Sequence, residues 1–281
     1  MRWHHATLVA CLAAACGTPN PGMDAGTDAG GAVEDAGFDA GPAPLCLADR
    51  PDASVDAGWD GGYDFSCRGM PRPGGGQAEL VLSGLTTRAG FVRTPLQGIQ
   101  VDAVRVDGTV MATAFTTDAG TYRLAFDAGC QPFDGEVRAT SLDVDAGFAV
   151  AYALPEAPWR YDRGGLELVL FDYDTQGLAA ALAGVTLQDG GAALAMTVED
   201  CAGNDVAGAV VSASSGGDVR YVGASGLPSS MLTATSASGD LVIFNLFGDS
   251  VTLTATLDGG VIAQKVMRIH PGAVTGTYLT P

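Results

Sequence analysis

Val251-Thr252-Leu253-Thr254-Ala255-Thr256-Leu257 alternates apolar and polar residues with period two, and it is bounded by Gly248 and Gly259-Gly260. Successive side chains on an extended strand point to opposite faces, so Val251, Leu253, Ala255 and Leu257 share a buried face and the threonines face water. Seven residues cannot bury that face alone, and the chain must supply partner strands. It contains many similar short runs: Ala78 to Leu82, Ile99 to Ala103, Val110 to Phe115, Val137 to Ser141, Phe148 to Leu154, Leu166 to Phe171, Leu194 to Val198, Val206 to Val211, Leu241 to Phe244, Val261 to Met267 and Val274 to Leu279. Tyr122, Leu124 and Phe126 share one face of a further strand. Glycines supply many of the turns between them, among them Thr117-Asp118-Ala119-Gly120 and Ser236-Ala237-Ser238-Gly239. Short strands with frequent turns predict an all-β chain of antiparallel sandwiches. One helix is expected, Gln176 to Leu182, with Thr175 as its cap and Gly184 ending it in a left-handed conformation. Asp172-Tyr173-Asp174 beside it is read as a solvated turn, because Gln176 and Ala183 stand where a calcium loop wants charged oxygen ligands.

Two stretches share an order of elements. A glycine precedes an alternating strand (Gly98-Ile99-Gln100-Val101; Gly208-Ala209-Val210-Val211), a small-residue turn precedes an apolar strand (Asp118 to Tyr122; Ala237 to Leu241), and a glycine precedes another strand (Gly135; Gly248). This reads as an internal duplication, with a first sandwich at 78–170, a linker with the short helix at 171–190 and a second sandwich at 191–281. Pro95-Leu96-Gln97-Gly98-Ile99-Gln100-Val101 and Thr117-Asp118-Ala119-Gly120-Thr121-Tyr122 resemble the carboxypeptidase regulatory-like domain, a transthyretin-like (Ig-like) β-sandwich of about seven strands. The second copy departs from that pattern, with Val206 where proline is usual and Ser236-Ala237 where Thr-Asp is usual. The resemblance implies fold; its motifs specify turns and core faces and no activity.

The N-terminus sets location. Arg2, His4 and His5 precede an apolar run, Ala6 to Ala15, that ends in small residues before Cys16. This is the form of a secretory signal, and the run is about half the length that spans a bilayer as a helix. Leu12-Ala13-Ala14-Ala15-Cys16 resembles a bacterial lipobox, which implies a signal peptide at 1–15 and lipidation of Cys16 as the mature N-terminus. Leu8-Val9-Ala10-Cys11 is the competing box, with a very short signal. Gly17 after the cysteine, by resemblance to Gram-negative lipoproteins, implies the outer membrane, periplasmic or surface-exposed. Residues 16–77 then form an Asp-Ala-Gly-rich tether, with the tripeptide at Asp24, Asp28, Asp35, Asp39 and Asp56. So few apolar residues cannot offset the entropy of ordering, and the segment is expected to be disordered. As a flexible coil of about 60 residues it would hold a head roughly 45 Å from the membrane. Trp59, Tyr63 and Phe65 mark a small knot within it, and Pro71, Pro73 and Gly74-Gly75-Gly76 mark its end.

With Cys11 and Cys16 set aside, Cys46, Cys67, Cys130 and Cys201 remain as disulfide candidates in an exported chain. Four cysteines allow three connectivities, and Cys46–Cys67 with Cys130–Cys201 is the expected one, one pair local and the other between folded regions.

The formal charge of −18 argues against nucleic acid and anionic lipid surfaces as partners. The mature chain keeps one histidine, His270, beside Pro271, which reads as a strand-end residue. No G-x-S-x-G elbow, zinc-ligand set or phosphate-binding glycine loop occurs, so no catalytic residue, metal ligand or cofactor is assigned. The expected function is a non-catalytic, lipid-anchored envelope protein whose sandwiches bind an unidentified protein or glycan or serve a structural role. The alternatives are a calcium-dependent adhesin and a hydrolase built on carboxylates such as Glu199 and Asp200.

Overall fold

The computed structural model describes residues 62–69, 75–90, 92–143 and 147–281. The signal segment, Cys11, Cys16, Cys46 and the tether up to residue 61 lie outside the described residues. The described residues are all-β apart from one helix. The first unit runs β1 (Glu79–Arg88), β2 (Thr94–Pro95), β3 (Gln100–Arg105), β4 (Val110–Phe115), β5 (Thr121–Asp127), β6 (Gly135–Thr140), β7 (Ala151–Ala153) and β8 (Arg163–Leu170). Helix α1 (Tyr173–Leu182) follows. The second unit runs β9 (Ala192–Val198), β10 (Val210–Ala213), β11 (Asp218–Val222), β12 (Pro228–Ser229), β13 (Asp240–Leu246), β14 (Ser250–Leu257), β15 (Gly260–Arg268) and β16 (Val274–Leu279).

The strand pairings of the first unit recur in the second. β1 pairs antiparallel with β5 and parallel with β8; β9 pairs antiparallel with β13 and parallel with β16. β3 pairs with β6 and β6 with β7; β10 pairs with β14 and β14 with β15. One strand changes side. β4 pairs with β3, whereas its counterpart β11 pairs with β13 in the opposite layer. The parallel pairs add to the antiparallel plan expected from sequence, and glycine makes one of them possible. At Gly84 a Cβ would lie 1.7 Å from the Leu166 carbonyl oxygen, and the β1–β8 register shifts between Leu82 and Gly84. β1 thereby runs on to Arg88 instead of stopping at Leu82.

β16 does more than close its own unit. It lies between β9 and β7, with Val274 facing Ala193 on one side and Ala151 on the other, and so joins strands of both units into one nine-stranded sheet. Two core clusters form, and the one centred on the second unit also takes in Ala89, Ala149 and Val169 from the first. Leu80, Leu82, Val101, Leu124, Phe133 and Leu168 lie in one cluster, and Leu194, Met196, Leu241, Ile243 and Leu253 in the other. Tyr122, Leu124 and Phe126 are buried on one face of β5, and Val251, Leu253 and Ala255 on one face of β14, as their alternation requires. β9 and β13 are buried along their whole length instead of alternating. The reason is α1: Gln176 and Ala179 lie over Ala193, Ala195, Val242 and Phe244, covering the face that would otherwise meet water.

The helix starts earlier than its apolar residues suggest. Asp172, not Thr175, is the cap: its backbone is extended and its Oδ1 accepts the Thr175 amide at 2.7 Å. Gly184, at φ +69°, follows the helix end as expected.

The last part of the expected tether is also docked. Residues 62–69 lie against the second unit, where Tyr63 and Phe65 pack on its core. Ala207 donates its amide to Tyr63 Oη at 2.9 Å, the Asp64 amide donates to Asp200 Oδ2 at 3.0 Å, and the Cys201 amide donates to the Asp64 carbonyl at 2.7 Å. Two aromatic rings and a cysteine within five residues give this stretch what the Asp-Ala-Gly repeats lack, apolar area to bury and a covalent anchor. The chain then meets the first unit: the Gly76 amide donates to the Cys130 carbonyl at 3.0 Å and the Gln77 amide to the Arg160 carbonyl at 3.0 Å.

Candidate functional site

The candidate site residues fall into two places, the strap formed by residues 62–69 and the seam between the units. In the strap, Cys67 is bonded to Cys201, with Cα atoms 5.8 Å apart. This corrects the expected pairing of Cys46 with Cys67 and of Cys130 with Cys201. Nearness in sequence favoured the local pair, but Tyr63 and Phe65 carry Cys67 across to the second unit. Cys130 is disulfide-bonded as well, to a cysteine outside the described residues.

Next to Cys201 stand the two carboxylates considered for hydrolysis. Glu199 is partly buried, and its amide donates to the Leu279 carbonyl at 3.2 Å. Burial, with repulsion from Glu156, Asp205 and Asp200 that Arg163 only partly offsets, raises its pKa to about 7. For Asp200 burial acts in the same direction, but hydrogen bonds from Asn204, Asp64 and Ala202 outweigh it and hold the carboxyl below its ordinary value. The split resembles an acid–base pair, yet the oxygens of Asp200 are already filled. Oδ1 accepts the Ala202 and Asn204 amides at 2.9 and 2.8 Å, Oδ2 accepts Asp64, and the residue is buried. Asp200 organises the Cys201 turn and offers no face to a substrate.

At the seam, Leu154 to Ala157, between β7 and β8, separates two clefts. One, of about 100 Å³, is walled by Trp159, Leu166 and Tyr278 with Arg163 and Glu156 at its polar side. The other, of about 270 Å³, lies between Asp134 to Glu136 and Lys265 to Arg268. Lys265, the chain's one lysine, fixes the partition: its Nζ donates to the Pro155 carbonyl at 2.7 Å and to Thr277 Oγ1 at 3.2 Å. His270 is not an isolated strand-end residue. Its ring stacks on Tyr152, and Nε2 lies 2.9 Å from Glu136 Oε2, a contact between the two units. Beside it a polar row crosses four strands, Thr113–Asp102–Arg138–Tyr152. Burial would raise the Asp102 carboxyl, but hydrogen bonds from Arg138, Thr113 and Gln100 and the charge of Arg138 bring it below its ordinary value. Sequence reasoning missed this row; a charged residue at a period-two position of a strand is the signal that could have marked it. Among the described residues no group of three or more His, Cys, Asp or Glu side chains is placed to hold a metal ion. Asp172, in the turn read as solvated, serves instead as the helix cap and pairs with Arg88 at 2.9 Å.

No protein-family model and no curated protein matches this chain. Among solved structures it is similar to the Bacillus anthracis TIE protein, at 10% identity and a TM-score of 0.26 over 72% of this chain and 34% of that one. It is similar also to the shaft pilin SpaA from Lactobacillus rhamnosus GG (15%, TM-score 0.20, 73% of this chain and 98% of that one) and to the full-length major pilin RrgB from Streptococcus pneumoniae (9%, TM-score 0.22, 75% and 49%). The chain spans about a third of the TIE protein's length.

Proposed function

We propose that this is a non-catalytic, lipid-anchored protein of the cell envelope that holds two regulatory-like β-sandwich units away from the outer membrane for a binding or structural role. The observation that carries the reading is the Cys67–Cys201 disulfide, which fastens the end of the Asp-Ala-Gly segment to the folded head. Such a bond persists in oxidising compartments outside the cytosol, which agrees with a secretory signal ending just before Cys16. The filled oxygens of Asp200 and the stacked, paired ring of His270 support a head without catalysis. The ligand is a protein or glycan met at the seam clefts or the loops. Metabolic labelling with a fatty acid tests the anchor. The native chain takes up label and fractionates with membranes, and Cys16→Ser loses both. Label that survives Cys16→Ser and disappears in Cys11→Ser moves the anchor to Cys11; label on neither residue rules out lipid anchoring. A head that gains thermal stability on adding calcium favours the adhesin reading instead.

A further inference from the structure

We propose that the narrower seam cleft is a socket for one lysine side chain of a basic partner protein, with the aliphatic stem between Trp159 and Tyr278 and the ammonium at Glu156. The socket makes the binding role above specific and rests on that reading. Size separates the classes of ligand. At about 100 Å³ the cleft is smaller than the roughly 300–1,000 Å³ of sites that enclose a free small molecule. It has the room of about three waters, which suits a slim unbranched chain and not a sugar ring. Its walls stand ready. Trp159 and Phe133 exchange both backbone hydrogen bonds, and the indole lies parallel to the Phe133 ring with centroids 5.9 Å apart. Phe133 belongs to the core of the first unit, so that wall is fixed. Tyr278 stands on β16 opposite Thr197 of β9. Ala153 and Gly276, opposite each other in the β7–β16 pairing, also line the cleft and are too small to fill it. A site already in shape spares the cost of ordering on binding.

Charge selects the tip of the side chain. Among the described residues that line the cleft, Glu156 and Glu167 are anionic and Arg163 alone is cationic. Glu167 is held by Arg93 and by Thr87 Oγ1. Lys265 opens instead to the wider cleft, across the Leu154–Ala157 partition, where the Pro155 carbonyl and Thr277 Oγ1 accept from it. Glu199 is repelled by Glu156, Asp205 and Asp200 with only Arg163 in partial compensation, and Tyr278 faces it from β16. An ammonium entering beside Glu156 relieves that repulsion, its stem covers the apolar walls, and the two aromatic rings attract the cation further. The net charge of −18 draws a basic partner towards the head in the first place.

Calorimetric titration of the full, disulfide-bonded chain with a capped Gly-Lys-Gly peptide tests the socket, against the same peptide with norleucine in place of lysine. The lysine peptide should bind roughly tenfold more tightly than its uncharged analogue, and Glu156→Gln should remove about that factor. Ala157→Phe, which fills the cleft from the partition, should abolish binding. Because a bound cation favours the ionised form of Glu199, affinity should rise between pH 6 and pH 8, by up to about tenfold for each unit by which that pKa falls. Glu199→Gln should remove the rise. Equal affinity for the two peptides, binding that survives Glu156→Gln and Ala157→Phe unchanged, or no binding of the lysine peptide would overturn the socket. An N-acetylglucosamine oligomer that stabilises the head where the lysine peptide does not would also overturn it, and would keep the binding role. Loss of fatty-acid labelling with lysine binding intact would remove the anchor and leave the socket standing.

Discussion

The imidazole of His270 lies flat on the ring of Tyr152, with centroids 3.8 Å apart and planes 7° from parallel. Tyr152 belongs to β7 of the first unit, and His270 to the loop between β15 and β16 of the second. The same imidazole holds Glu136, whose side chain is only 5% exposed. The stack and the hydrogen bond thus close the seam beside the strand pairing of β16 with β7. Replacing His270 with alanine strips both and leaves a buried carboxylate without its partner. We expect a loss of about 2–4 kcal/mol in chemical denaturation. His270→Phe, which keeps a ring over Tyr152, should still lose the part due to Glu136, and Glu136→Gln should recover some of the deficit in the His270→Ala background. A loss below about 0.5 kcal/mol in His270→Ala would show that the seam does not depend on this contact.

Glu199 makes stability depend on pH in the direction opposite to most carboxylates. Its folded pKa of about 7 exceeds the ordinary value of 4.5, so the folded state binds the proton more tightly than the unfolded chain. That contribution is complete below about pH 4.5 and disappears as pH rises through 7. The folded protein should therefore be less stable at pH 8 than at pH 5 by about 1–2 kcal/mol, after allowance for partial exposure. Glu199→Gln should flatten the profile over this window and raise stability at pH 8. Asp102, Asp172 and Asp200, all held below their ordinary values, act only at lower pH, where stability falls as they are protonated. Equal slopes for the native and Glu199→Gln proteins between pH 5 and 8 would remove Glu199 as the cause.

The Asp102–Arg138 pair should behave as a unit. Asp102 is almost completely enclosed, and Arg138 Nη2 reaches its Oδ2 at 2.7 Å while Thr113 Oγ1 donates to Oδ1 at 2.7 Å. Arg138→Met leaves the carboxylate without its compensating charge, a change of about 3–5 kcal/mol. With Asp102→Asn already present the same replacement should cost about 1 kcal/mol, since an amide needs no counter-charge. A double-mutant cycle by urea denaturation reads the coupling directly, and additive losses would show that the two side chains are independent.

How legible the molecule was in its sequence depends on how local each signal is. Period-two alternation located β5 and β14 and their buried faces because the pattern is written within seven or eight residues. β11 was missed: Asp218-Val219-Arg220-Tyr221-Val222 follows Gly216-Gly217 and carries only a short alternation. The role of β16 was also hidden, since nothing in Val274 to Leu279 states that both edges will be paired and that one partner comes from the other unit. The disulfide failed for the same reason. Connectivity is a property of where the strap docks, and docking was set by Tyr63 and Phe65, read as a knot within the tether. Glu199 and Asp200 were found as adjacent carboxylates, but their opposite ionisation comes from neighbours scattered from Asp64 to Asp205.

Two glycine-to-alanine replacements should change stability in opposite directions, and together they test the register of the first unit. At Gly84 the added methyl would collide with backbone, the Leu166 carbonyl carbon and oxygen, so β1 and β8 must part to admit it. Their parallel ladder runs from Gly84 opposite Leu166 to Arg88 opposite Leu170, and its loss exposes the core face carrying Leu168 and Leu170. Gly84→Ala should cost more than about 3 kcal/mol and speed amide hydrogen exchange along β8. Gly177 lies in α1 with nothing within 4 Å of the position a Cβ would take. Alanine there relieves the helix of glycine's entropic disadvantage and should add about 0.5–1 kcal/mol. A tolerated alanine at position 84 would mean that β1 and β8 are not paired in this register, and the parallel pairing that the two units share would have to be withdrawn for the first of them.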